Sequence, residues 1–179
     1  WETNNNFNIG FDFELFNSRL RGSVEYFYKK TTDMLCFVEA PNSAGYKGSY
    51  DNIGDMVNKG LEVDLSATVL KKKNISWDVN VNATTYKNEI AKLADALKAD
   101  LVVDGHPGYV SGDRLYAEGL PLYTWYIRRY AGLSEEGKSM WYYTDNDGNL
   151  QKTDVYGNAT YYNCGSPHPD LYGGFGTTL

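Results

Sequence analysis

Between Asn58 and Tyr86 the chain reads NKGLEVDLSATVLKKKNISWDVNVNATTY. Every second residue from Leu61 is apolar: Leu61, Val63, Leu65, Ala67, Val69. The same holds from Ile75: Ile75, Trp77, Val79, Val81, Ala83. The residues between them are Glu62, Asp64, Ser66 and Thr68, then Ser76, Asp78, Asn80, Asn82 and Thr84. Strand side chains alternate faces with period two. Each run therefore has one apolar and one polar face. Lys71 to Lys73 mark the bend. Pairing Val69 with Ile75 sets Ala67 against Trp77, Leu65 against Val79 and Val63 against Val81. One register then gathers the apolar residues on one side. The expectation is a long antiparallel hairpin, with strands over 58–70 and 75–86.

A second hairpin precedes it. Phe7, Ile9, Phe11, Phe13 and Leu15 alternate with Asn6, Asn8, Gly10, Asp12 and Glu14 in a strand over 5–15. After the tight turn Phe16-Asn17-Ser18-Arg19, a strand over 20–28 carries Leu20, Gly22, Val24, Tyr26 and Tyr28 on one face. Pairing Leu15 with Leu20 brings Phe13 over Gly22, where an aromatic ring covers bare backbone. Phe27, on the polar face, breaks the pattern.

The segment 29–55 reads as a long loop with a short strand over Met34 to Val38. In 88–97, Asn88 is placed to cap a short helix, with Ile90, Leu93, Ala94 and Leu97 at helical spacing. Residues 87–171 read as a second long loop region. Within it lie a strand near 122–130, a bend at 132–137, a strand over 140–144 and a turn at Asp145-Asn146-Asp147-Gly148 leading to a strand from Leu150. A last strand covers 172–179. The segment 122–144 is either a further membrane hairpin or part of an external loop, and Arg128 and Arg129 favour the loop.

The fold class is all-β, an antiparallel up-and-down meander in one incomplete barrel segment, 1–179. Short joints at 16–19 and 71–73 alternate with long connections, as in outer-membrane barrels. A soluble carbohydrate-binding β-sandwich alternates in the same way and is the alternative. Charge-free apolar faces of membrane-spanning length, opposite faces rich in Asn, Asp and Ser, favour the barrel. No apolar run approaches a membrane helix, which leaves spanning strands open. The net charge of −6 argues against a nucleic-acid partner.

No catalytic constellation is visible, so no enzyme activity, cofactor or metal is expected. His106 and His168 lie in Pro- and Gly-containing loops. Asp145 to Asn149 resembles a calcium loop only in part, and a hairpin turn explains it. Glu62, Asp64 and Asp78 recur among Asn and Ser on one strand face, as in a solvated wall. Cys36 and Cys164 read as two free thiols, with a long-range disulfide the other reading. Tyr123, Trp125, Trp141 and Tyr142 head the richest aromatic cluster and are the candidate ligand or partner contacts. The bland reading is loop packing or an interfacial belt.

The blocks Trp1-Glu2, Asn8 to Phe13, and Arg19 to Leu35 resemble a signature segment of the SusC/RagA-like TonB-linked outer-membrane transporters. Asn52 to Glu62, Ile75 to Ile90, Gly119 to Leu122, Ala131 to Ser134 and Gly165 to Phe175 continue the resemblance in order. It implies a fragment from the C-terminal part of a 22-stranded barrel in the outer membrane of a Gram-negative bacterium. The family's plug and coupling box are not among these residues. Further implied are a SusD-like surface lipoprotein, the TonB complex, contact with outer-membrane lipid, and import of oligosaccharides or peptides.

Overall fold

Period-two alternation produces four long antiparallel strands: β1 (Thr3–Leu15), β2 (Leu20–Glu39), β3 (Gly48–Lys72) and β4 (Ile75–Leu93). The structure, a computed structural model, describes residues 1–39, 42–98 and 101–179, and for 36–39 and 42 the backbone alone. The chain divides into a first unit, 1–94 with 168–179, and a second, 95–167.

The first unit is one sheet in the order β1-β2-β3-β4-β13, where β13 is Leu171–Thr178. Leu15 pairs with Leu20 and Phe13 with Gly22, as the sequence pattern requires. The register then runs Phe13, Gly22, Leu65, Val81, Phe175 across all five strands on the apolar face. Along β3 that face is bounded by Lys59, beside Tyr28 and Lys87, and by Lys72, beside Ile75. From Leu61 to Leu70, nine steps of ~3.3 Å at a tilt of ~40°, the strand rises about 23 Å, close to the ~25 Å height of a barrel's apolar band. The face is open: Phe11 is 67% exposed and Phe175 71%.

The hairpin between β3 and β4 is shifted by two residues from the expected register. Lys73 and Asn74 alone make the turn, so Lys72 pairs with Ile75 and Leu65 with Val81. A bulge lies between Thr68 and Leu70. The extra residue, Val69, exchanges the faces beyond it. Leu70 joins Trp77 on the apolar side, and Lys71 joins Ser76 on the polar side. The shift is even, so the faces assigned to Leu61 through Ala67 are unchanged.

Residues 29–55 differ from the expected loop. β2 continues to Glu39 and β3 begins at Gly48, paired through two irregularities near Met34. Asp33, in the left-handed region at φ 55°, sits at the first of these. Its N–H donates to Asp55 Oδ1 at 3.2 Å, and Asn52 Nδ2 donates to its carbonyl. Above the apolar band the outer face is ionic, with Lys30 Nζ 3.3 Å from Asp55 Oδ2. The pattern fails here because neither face is purely apolar outside the band.

The helix expected at 88–97 is strand as far as Leu93. Only α1 (Asp95–Lys98) is helical. Ile90 and Leu93 nevertheless share a face, and both are buried, at 1% and 2% exposure. A bulge between the pairs Met56–Ile90 and Asp55–Lys92 inserts Ala91. One inserted residue turns the i, i+2 spacing of a strand face into i, i+3, which imitates a helix.

The second unit contains two sheets. β5 (Leu101–Val103), β6 (His106–Ser111), β7 (Arg114–Ala117), β8 (Thr124–Arg128) and β12 (Tyr161–Asn163) form the order β12-β8-β7-β6-β5. β9 (Tyr130–Leu133), β10 (Ser139–Thr144) and β11 (Leu150–Thr153) form β11-β10-β9. Its small core centres on Leu115 and Ala117, both fully buried, with Thr124 donating through Oγ1 to the Pro121 carbonyl at 2.7 Å. The strand expected over 122–130 is interrupted at Arg129. β4 pairs directly with β13, Ala83 opposite Gly173, and the strands within 122–144 belong to other sheets.

Candidate functional site

Two surfaces carry polar chemistry: the polar face of the long sheet and the aromatic surface of the second unit. On the first, residues line up in rows across the strands. Asp12, Ser23, Asp64 and Asn82 form one row, and Glu14, Arg21, Ser66 and Asn80 the next. Glu25 and Glu62 stand opposite each other between Gly10 and Thr84. Asp78 accepts from Thr68 Oγ1 at 2.6 Å and from Ser76 Oγ at 3.0 Å. Arg19, Arg21, Lys71 and Asp78 line a shallow hollow of about 660 Å³ near the short turns. The carboxylates are spread along an open polar face and do not converge as an acid–base pair.

Phe27, the breach in the pattern, has a structural reason. It lies opposite Gly60, and Gly60 lies opposite Tyr86. The Phe27 ring covers the backbone of Gly60, its Cε1 2.8 Å from where a Cβ would stand. Tyr86 meets Tyr172 edge-on at 6.4 Å and His168 at 6.1 Å. An aromatic row on the polar face thus crosses the sheet beyond its acidic rows.

In the second unit the four sequence candidates fall into three clusters. Tyr123 and Trp125 meet through Arg114, whose guanidinium lies 3.2 Å from the Trp125 ring centroid and donates through Nη1 to the Tyr123 carbonyl at 3.0 Å. Trp141 is edge-on to Tyr130 at 6.5 Å and to Tyr156 at 5.2 Å. From Tyr156 the stack runs through Arg128, 4.4 Å from that ring and 4.6 Å from Tyr161, to Tyr126, 5.6 Å from Tyr161. Tyr142 lies apart, with the Arg129 guanidinium at 4.5 Å.

The arginines were missed as ligands of these rings. The signal was the doublet Arg128-Arg129 inside an aromatic segment. Consecutive residues of extended chain point to opposite faces, so each arginine serves a different cluster. A guanidinium over a ring contributes ~0.5–1 kcal/mol where exposed.

His106 Nδ1 lies 2.7 Å from the Glu118 carbonyl, which holds a loop in place. Asp145 closes a hairpin turn. Its Oδ1 accepts from the Asn149 N–H at 2.8 Å and the Asp147 N–H at 3.0 Å, while the Gly148 N–H reaches its carbonyl at 3.0 Å. The Asn149 backbone bond, more than the others, holds the Asp145 carboxyl below its ordinary value. A lowered folded-state pKa stabilises the turn above the unfolded value, and the gain is lost as pH falls through the folded value. Protection of the Gly148 and Asn149 amides from exchange, taken relative to the intrinsic rate at each pH, is therefore expected to fall below about pH 4. In Asp145→Ala that protection is expected to be low at neutral pH too, with no further loss on acidification. Among the described residues no group of three His, Cys, Asp or Glu side chains is placed to hold a metal. Cys164 is a free, exposed thiol, and the Cys36 side chain lies outside the described residues.

A five-strand meander with an open apolar face of bilayer height and a polar opposite face defines the wall of an outer-membrane-type β-barrel. The family model for the TonB dependent receptor-like β-barrel matches residues 1–177, and the chain belongs to that family. A TonB-dependent receptor of Formosa agariphila is 31% identical over the whole chain, and the chain covers 19% of it. The TonB-dependent receptor SusC of Bacteroides thetaiotaomicron is 32% identical over 58% of the chain and 10% of its own length. The solved RagAB peptide transporter is 29% identical over 98% of the chain and 19% of its own, with a TM-score of 0.75. Its closed-closed state is 30% identical, with a TM-score of 0.76 and the same coverage. The chain spans about a fifth of the length of the relatives it matches over its whole extent. These relatives are TonB-dependent receptors and a peptide transporter. The soluble sandwich is not favoured, since the family model that matches the chain is that of a β-barrel.

Proposed function

We propose that the chain forms part of the wall of a larger TonB-dependent importer in the outer membrane of a Gram-negative bacterium. In this reading the short turns at 16–19 and 73–74 face the periplasm. The second unit is an extracellular loop. The complete protein takes up oligosaccharides or peptides, energised through TonB and capped by a SusD-like surface lipoprotein. The observation that carries this reading is the apolar face bounded by Lys59 and Lys72, at bilayer height, on a chain matched to the barrel family almost end to end. The inward rows of Asn, Asp, Glu and Ser suit a water-filled interior. Tyr123, Trp125, Trp141 and Tyr142 are the proposed contacts for cargo or lipoprotein, each held by a neighbouring arginine or ring.

The test is uptake. Cells carrying the complete protein as their sole importer of this kind are supplied with labelled oligosaccharides and peptides. Uptake is expected to stop when the proton-motive force is collapsed or TonB is deleted. Uptake indifferent to both, or recovery of the protein in the soluble fraction, would overturn the reading.

A further inference from the structure

One row on the outer face of the long sheet breaks with its neighbours. It runs Phe7, Tyr28, Lys59, Lys87 across β1 to β4. Lys59 and Lys87 are register partners, so two lysines start from directly opposite positions on adjacent strands. Like charges so placed destabilise a sheet. The rows beyond combine opposite charges. Lys30 Nζ lies 3.3 Å from Asp55 Oδ2, and Asp55 has Lys92 as its register partner on β4. Glu89, opposite Val57, is the next acid along this face of β4. Among the described residues neither it nor any other carboxylate is within ion-pair distance of Lys59 or Lys87. Over these three rows Lys30, Lys59, Lys87 and Lys92 outnumber Asp55 and Glu89.

The row on the other side decides what kind of anion fits. Ile9, Tyr26, Leu61, Thr85 and Leu171 begin the apolar band there, and Ile9 and Leu171 are 59% and 65% exposed. An anion that reaches both lysines therefore lies against open apolar surface. That suits a charged head carried on a hydrocarbon body better than a small hydrated ion. At the edge of a bilayer's hydrocarbon this row stands at headgroup level, where the fixed negative charge of lipids lies. Tyr26 and Tyr28 beside it are the residue type that favours that level. Near hydrocarbon the lower dielectric raises both the repulsion between the lysines and the gain from an anion between them. Two ammonium groups serve one phosphate as point charges, without the fixed geometry an arginine imposes. The other end of the band lacks the pair: there the outer face has Lys72 opposite Ile75. The doubled cation thus marks the end away from the short turns.

From this we infer that Lys59 and Lys87, with Tyr28 beside them, bind the phosphate of an outer-leaflet glycolipid of the lipid A type, whose acyl chains lie along the apolar band. The inference rests on the membrane-wall reading, with the short turns facing the periplasm.

The test uses the complete protein in a zwitterionic detergent, with four probes: monophosphoryl lipid A, the same lipid without its phosphate, phosphatidylglycerol and inorganic phosphate. Native mass spectrometry counts the bound lipid. Monophosphoryl lipid A is expected to bind at least about tenfold more tightly than its phosphate-free form. Lys59→Gln and Lys87→Gln are each expected to shrink that preference and the double variant to abolish it, while Lys72→Gln leaves it as it is. Heat-modifiable electrophoretic mobility confirms that each variant barrel is folded. Equal binding of the two forms of lipid A, a preference that survives the double variant, or one lost equally in Lys72→Gln would overturn the assignment. So would tighter binding of phosphatidylglycerol, or displacement of the glycolipid by inorganic phosphate at comparable concentration. Uptake is measured separately. Phosphate preference without energised uptake would leave this site standing and remove the importer reading, and energised uptake without the preference would do the reverse.

Discussion

Val81→Arg is expected to cost the complete barrel about 2–4 kcal/mol of folding free energy in a bilayer. Val81 sits on the apolar face between Leu65 and Phe175, close to halfway between the levels of Lys59 and Lys72. At that depth an arginine has no short route to either interface. Its neighbours on β4 make the control. Asn82 lies on the polar side, in the row with Asp64 and Ser23. Asn82→Arg is expected to change stability little, because the new charge meets water and an acidic row. Urea titrations of the two variants folded into vesicles give the comparison. Equal costs for Val81→Arg and Asn82→Arg would show that the two faces do not differ in solvent, and the wall would not be a membrane wall.

Gly60→Ala is expected to destabilise by about 1–3 kcal/mol, as overpacking does. A Cβ there would run into the Thr85 carbonyl on one side and the Phe27 ring on the other. The carbonyl belongs to the backbone of the neighbouring strand and cannot rotate away. The ring can. The cost should therefore fall, without vanishing, when Gly60→Ala is combined with Phe27→Leu. A double-mutant cycle reads this directly. Strictly additive costs would mean that the ring does not cover the glycine.

These two positions also show what period-two alternation can and cannot settle. The faces of β1 to β4 follow from it as far as the bulges, since the apolar residues at the expected parity in 7–15, 61–67 and 75–83 lie on the open face. The pairing of Leu15 with Leu20 follows from a short turn. Bulges are different. Val69 and Ala91 are ordinary residues in strand sequence, and nothing local marks them as supernumerary. The first hides a two-residue register shift, and the second makes Ile90 and Leu93 look helical. Phe27 was conspicuous, but its reason lies on another strand and emerges only once the register is known. In the second unit the cue was present. Asp104-Gly105 and Gly112-Asp113 form the two-residue turns that join β5 to β6 and β6 to β7. Asp104 and Gly105 both take positive φ, at 52° and 83°, as hairpin turns of this length favour. The strands they join are too short for alternation to declare them. The aromatic candidates were visible as a cluster by composition. Their division into three groups was not, because it depends on which face each arginine takes.

The direct pairing of β4 with β13 has a consequence for how such a protein can change. Everything from Asp95 to Pro167 is threaded between two strands that are already neighbours. The interval can be shortened, lengthened or exchanged for another folded insert without renumbering a strand or moving a register. The interval then behaves as an exchangeable cassette on a fixed chassis. Grafting 95–167 between the corresponding strands of a relative tests whether this interval carries ligand preference while the wall stays as it is.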